Sequence, residues 1–265
     1  MLHLSVAVSS FRRYSTYRAA TIAGAFTNSV FGIIMCFVYL AVWERQPDAG
    51  GYDASDAVTY VWLGQAMLAA LATFGGGAPD DLAARIKSGD VAIDFYRPVD
   101  ILGWYLAADL GRAAFQLLTR GLAPTLVGIA LFDIRLPPGP VAWLGFAAAV
   151  VLAVVVSYAL RMLVALSTFW LLDDTGPRTL AMVVAVFLGG MTVPLVLFPD
   201  GLREVAMALP WVAYLQVPAD IWLGQRAGTE LLAGLALAAA WAAVLLAVAA
   251  LVLRAAERRV VVQGG

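Results

Sequence analysis

The sequence predicts an all-α polytopic membrane protein, and three observations predict it. Of 265 residues, 62% are apolar and 13% charged, against roughly 45–50% and about 25% in a soluble domain. Five uncharged runs, 19–43, 57–79, 136–160, 179–199 and 231–253, each reach the ~20 residues that a helix needs to cross a bilayer with its backbone bonded internally. A sixth apolar stretch, 101–132, is interrupted by Asp109, Arg112 and Arg120. It counts as a span because the connecting segments otherwise leave the topology unbalanced. The expectation is a single transmembrane domain over 1–265, with six spans and both termini on one side.

Charge places the termini and excludes several functions. A formal net charge of −1 offers nucleic acid no basic surface. One cysteine, Cys36, and one histidine, His3, exclude an internal disulfide and any metal site built on several of either. Outside the spans, Arg12, Arg13, Arg18, Arg85, Lys87, Arg97, Arg178, Arg254, Arg258 and Arg259 fall on the terminal side. Only Arg45, Arg135, Arg203 and Arg226 fall opposite. Basic residues mark the inner face, so both termini are expected in the cytoplasm.

Along the chain, residues 1–18 carry Leu4, Val8, Phe11 and Tyr14 at helical spacing with arginines at the end. That pattern suits an amphipathic helix in the interface; a frayed tail is the alternative. In the first span Thr21, Gly24, Asn28, Gly32 and Met35 share a face, which close helix packing explains and a cavity lining would also explain. Residues 44–56 read as an ordinary external loop. Residues 79–100 form a longer connection: Pro79-Asp80-Asp81 starts a helix, Leu82, Ile86, Val91 and Ile93 give an apolar face around Gly89, and Arg97-Pro98 ends it. Such an element exceeds what a turn requires and suits a docking surface.

In the third span Asp109, Arg112, Gln116 and Arg120 lie 3, 4 and 4 apart, on one helical face. For Asp109 and Arg112, snorkelling from a helix start in the interface is favoured over a polar lining; for Arg120 the two stand level. Arg161 is expected to snorkel or pair, and Asp173-Asp174 to be a solvated loop or helix start. Residues 191–225 contain Pro194, Pro199, Pro210 and Pro218 with Phe198, Trp211, Tyr214 and Trp222. An uncharged stretch too short to cross and broken by proline reads as re-entrant, over 198–225, with its aromatics at headgroup level.

Catalytic and nucleotide-binding signatures are missing. The single lysine, Lys87, follows Ile86, so no Gly-Lys pair can close a P-loop. Neither HExxH nor GxSxG occurs, and a catalytic centre is not expected.

Taken in order, Tyr17-Arg18, Gly51-Tyr52, Thr59-Tyr60, Ser88-Gly89-Asp90, Arg97-Pro98-Val99-Asp100, Pro194-Leu195, Phe198-Pro199, Leu209-Pro210-Trp211 and Pro218-Ala219-Asp220-Ile221-Trp222-Leu223-Gly224 resemble the ABC-2-type exporter permeases, specifically the short six-span bacterial subgroup. Gly189-Gly190-Met191 departs from the pattern, where a polar small residue is commoner. The resemblance implies a subunit of the bacterial inner membrane that moves a small hydrophobic or amphiphilic compound outward. It implies no cofactor in this chain, with ATP and Mg held by two copies of a separate cytosolic ATPase. It implies a second permease chain, identical or paralogous, and membrane lipid as partners. ATPase coupling falls to Ile86, Ser88, Gly89, Asp90, Asp94, Arg97 and Pro98, the coupling helix. The substrate pathway and gate fall to Asn28, Gly32, Gln116, Arg120, Pro194, Phe198 and Pro199. A membrane enzyme acting on lipid, or a scaffold without turnover, is the alternative.

Overall fold

Helices joined by short connections make up the computed structural model, which describes residues 2–47, 49–96, 98–171 and 173–258; no strand occurs among them. The first helices are α1 (Leu2–Ser15), α2 (Arg18–Arg45), α3 (Ala54–Ala70), α4 (Ala78–Ser88), α5 (Val91–Tyr96) and α6 (Ile101–Gln116). A π-turn over Leu117–Gly121 joins α6 to α7 (Leu122–Leu131). Then come α8 (Pro140–Leu171), α9 (Thr175–Leu188), α10 (Asp200–Ala208), α11 (Gln216–Trp222) and α12 (Thr229–Glu257). Four segments are long and apolar enough to cross a membrane: Arg18–Arg45, Ile101–Leu131, Pro140–Leu171 and Thr229–Glu257.

The other two apolar runs make shorter helices, for local reasons. Run 57–79 yields the 17-residue α3. It starts at a capping box between Asp53 and Asp56 and stops before Gly75, Gly76 and Gly77, whose φ angles of 93°, 94° and 95° lie where only glycine is at ease. Run 179–199 yields the 14-residue α9, ended by Gly189 and by Gly190 at φ 73°.

Small residues set the packing. α8 and α12 pack together and carry stripes of small buried residues, Gly145, Ala149 and Ala153 on one helix and Ala238, Ala242 and Ala249 on the other; such stripes let backbones approach closely. On α2 the buried stripe is Gly24, Asn28, Gly32, Cys36, Tyr39 and Trp43. The expected face of α2 is packed at Gly32, where a Cβ would lie 2.6 Å from the Trp62 ring, and Met35 is half-buried beside it. α1 runs along α6: Phe11 meets Phe115 edge-on at 5.4 Å, and a Cβ on Gly111 would fall 2.0 Å from the Ala7 carbonyl oxygen.

The π-turn has its cause three residues beyond it. Pro124 has no N–H for the carbonyl of Arg120, and its ring crowds that carbonyl. The chain widens, and Leu122 N–H bonds back to Leu117 O.

The segment 210–223 is buried throughout except for the half-buried Trp211. Two of its aromatics pack inside the protein. Tyr214 is buried, and Trp222 is clamped between Trp143 and Phe146 at 4.9 and 4.6 Å with its indole N–H donated to Arg135 O.

Candidate functional site

Three arrangements of polar residues stand out, two at the end of the bundle that carries α4 and one at the far end.

The first is a buried charge cluster. Asp109 is fully buried between Arg112, whose Nε lies at 2.8 Å, and Arg161 from α8. Arg112 also donates to Ala69 O and Ala70 O at 2.7 and 2.6 Å. Ser157 donates to Leu71 O, and Arg161 to Gly76 O at 3.1 Å. Carbonyls at the C-terminus of α3, where intrahelical donors run out, and in the loop beyond it thus accept from α6 and α8. The expectation of snorkelling for Asp109 and Arg112 is corrected: both turn into the protein, because Arg161 and the end of α3 supply partners that spacing alone cannot reveal. Arg161 pairs, as one of its two readings had it.

One turn further on lies a cavity of about 170 Å³ lined by Asn28, Arg112, Gln116 and Arg120 together with Tyr14 and the loop 74–77. Three of the sequence-selected pathway residues meet here. Asn28 donates to Gln65 O at 3.1 Å. Gln116 Oε1, Arg120 Nε and the nearby Gln65 Oε1 are buried without a hydrogen-bond partner. Gly32 is not part of the cavity, being covered by Trp62.

The second arrangement is α4 and α5. Ala78, Pro79, Leu82 and Ala83 face inward, while Lys87, Ser88, Gly89 and Asp90 are exposed, and so are Ile93 and Tyr96 at 54% and 76%. Gly89 caps α4 at φ 84°, and Ser88 donates to Asp90 at 2.8 Å. Ile86 is half-buried and Pro98 exposed; Arg97 lies outside the described residues. Asp94 turns inward, paired with Arg85 at 2.6 Å and accepting from Tyr105, so it braces the segment rather than presenting itself. That hydrogen bond and charge raise the Arg85 guanidinium above its ordinary value.

Three ion pairs strap α4 to the start of α9, one of them from Lys87 to Asp173 at 3.3 Å. Lys87 reaches Asp174 at 2.5 Å, and Arg178 holds both Asp174 and Asp80, the latter at 2.9 Å. Burial pushes the Asp174 carboxyl up, but Lys87 and Arg178 outweigh it and hold it below 3.8. Asp173 stays exposed at the turn, held down by the Thr175 hydroxyl and amide. Behind α9 a second cavity, about 310 Å³, separates it from α8; Ala185 is the one residue of α9 that is buried.

At the far end a knot of side chains joins distant motifs. Tyr52 donates to Asp220, and Gln216 to both at 2.7 and 2.8 Å. Tyr60 donates to Gly190 O, Leu195 N–H to Gln216 Oε1, and Arg226 pairs with Asp220 at 3.0 Å. Pro194 and Phe198 are buried beside this knot, with Phe198 against Phe187 at 5.0 Å, while Pro199 is exposed. They are not brought together with Asn28, Gln116 and Arg120.

Residues 29–264 match the family described as ABC-2 family transporter protein. The chain belongs to that family. No curated protein matches it. As an ABC-2 permease it is a multi-pass membrane protein and a transport component rather than a catalyst, of a family that typically works with an ATPase. The match covers the π-turn, α4–α5, the knot and most of the cavity lining; α1 with Tyr14, and Asn28, precede it. Sequence reading missed Arg161 as the partner of Asp109, Tyr96 as an exposed apolar tip, and the strap to α9. Only Tyr96, three residues after the exposed Ile93 on α5, left a signal that helical spacing could have found.

Proposed function

We propose that this ABC-2 permease is the membrane subunit of an exporter that moves a small hydrophobic or amphiphilic compound out of the cell, driven by two copies of a separate cytosolic ATPase that hold the ATP and Mg. The observation that carries the reading is the α4–α5 pair, whose back is packed on the bundle and whose outer edge presents Lys87, Ser88, Gly89, Asp90, Ile93 and Tyr96 to a partner. In this reading the segment is the coupling helix, with Pro98 and Arg97 at its end, and Ile86 and Asp94 hold its shape from behind.

The α4 end then faces the cytoplasm of a bacterium, both termini lie there, and α1 rests in the interface of the inner membrane. Six passes follow when α3 and α9, each completed by its flanking apolar loop, cross alongside the four longer helices. Movement of α4 reaches α9 through Lys87–Asp174 and Asp80–Arg178. α9 is free to move because so little of it is packed. Asn28, Gln116 and Arg120 form the polar part of the route, with Gly32 keeping α2 close to α3, and Pro194, Phe198 and Pro199 form the gate at the far end. A second permease chain, identical or paralogous, completes the route against the exposed apolar faces of α2 and α9.

The test replaces Gly89 and Asp90 together in the assembled transporter. Transport-linked ATP hydrolysis is expected to fall while the permease keeps its thermal midpoint. Unchanged hydrolysis would remove the coupling role from α4–α5.

A further inference from the structure

We propose that the 170 Å³ cavity between α1, α2, α3 and α6 is an anion site that seats the acidic headgroup of an amphiphile, a phosphate or carboxylate bearing a hydroxyl donor. The inference deepens the reading of this cavity as part of the route, but binding is measured without ATPase or transport, so either can fail alone.

Charge is the first argument. The lining contains Arg112 and Arg120 and no acidic residue. Asp109 is shared between Arg112 and Arg161, which leaves Arg120 with no ion pair or hydrogen bond among the described residues. A guanidinium held among helices with part of its surface out of reach of water is unfavourable without a counter-charge. Water entering the cavity would satisfy donors and acceptors, but only an anion compensates the charge.

The second argument is the pattern of unpaired atoms. Of the lining residues, Arg120 Nε asks for an acceptor, while Gln116 Oε1 asks for a donor. An anionic oxygen beside a hydroxyl supplies both, and guanidinium favours planar oxyanions.

Third, the cavity is built to receive the arginine at headgroup depth. A Cβ on Gly24 would sit 2.1 Å from Arg120 Cζ, so the guanidinium lies against α2 where any other residue would displace it. Gly24 follows Arg18, where α2 begins, by six residues, about 9 Å of helix rise. Tyr14 of the amphipathic α1 closes the same cavity.

The experiment titrates the purified full-length protein in neutral detergent with phosphatidylglycerol, with phosphatidylcholine and with inorganic phosphate, reading occupancy by native mass spectrometry and the thermal midpoint. Saturable binding of phosphatidylglycerol, absent with phosphatidylcholine, is expected. It should weaken at least tenfold in Arg120→Gln and also weaken in Gly24→Ala, which displaces only the flexible end of Arg120. Arg203→Gln, an exposed residue at the far end, should bind as the unchanged protein does. Phosphate binding alone, if it depends on Arg120, places the source in solution; a requirement for the lipid places it in the membrane. Either supports the site. No binding of either anion, or phosphatidylglycerol binding that Arg120→Gln and Gly24→Ala leave intact, overturns it.

Discussion

Asp109 holds together three elements with one carboxylate, and its removal should be the most costly single polar change in the chain. Asp109→Asn leaves Arg112 and Arg161 buried without their anion. Breaking a buried pair in this way costs about 3–5 kcal/mol, so the thermal midpoint in detergent should drop steeply. Arg13→Gln breaks a pair with Asp81 whose two side chains are both largely exposed, and such pairs are worth about 0–1 kcal/mol. Equal midpoints for the two variants would contradict the account of the cluster. Asp174 gives the pH dependence at this scale. Its carboxyl is held below the ordinary 3.8, so its contribution is fully present above that value and is lost as pH falls through the lowered one. The strap between α4 and α9 should therefore protect α4 amides from exchange equally at pH 7 and pH 5, and protection should fall only below about pH 4. A loss of protection already at pH 6 would exclude Asp174 as the anchor.

At the scale of elements, the segments most legible in sequence were those whose cause is local. Asp80 and Asp81 in the first turn, Pro79 near the start and Gly89 at the end delimit α4 as the spacing predicts. The uncharged runs find three of the four long helices, and the charge-interrupted stretch 101–132 finds the fourth. Local sequence failed where the backbone left the helix inside an apolar run, at Ala72 with φ 50° ahead of Gly75–Gly77 and at Gly189–Gly190, because hydropathy does not register φ. It also failed at the π-turn, which Pro124 imposes on residues before it. Gly89 tests the α4–α5 hinge. With nothing within 4 Å of its Cβ position, Gly89→Ala costs only the left-handed backbone, about 1–2 kcal/mol, and should disorder the turn without unpacking Leu82. Hydrogen exchange should rise across 87–96 and stay unchanged in α8. The double variant Lys87→Ala, Arg178→Ala removes both arms of the strap. It should free α4 from α9 and uncouple hydrolysis from transport while partner binding persists; retained coupling would mean that α9 is not the element α4 moves.

For the whole molecule, the family was legible because its motifs keep their order over nearly the full chain. The structure explains why scattered short motifs belong together: Tyr52, Tyr60, Leu195, Gln216 and Asp220 form one hydrogen-bonded knot. The candidate site was only half legible. Helical spacing placed Arg112, Gln116 and Arg120 on one face, and they do share a cavity. No local pattern connects Asp109 to Arg161, or Lys87 to Asp174, since those contacts span 52 and 87 residues of chain. They exist only once α8 and α9 have folded against α4 and α6. The central claim is that a separate ATPase powers this ABC-2 permease through α4–α5, and the most direct measurement is affinity capture of the tagged chain in mild detergent with mass spectrometry of what stays bound. The account predicts a stoichiometric ATPase with intact Walker motifs, lost on joint replacement of Gly89, Asp90, Ile93 and Tyr96. A stable, folded chain that retains no nucleotide-binding partner would contradict it.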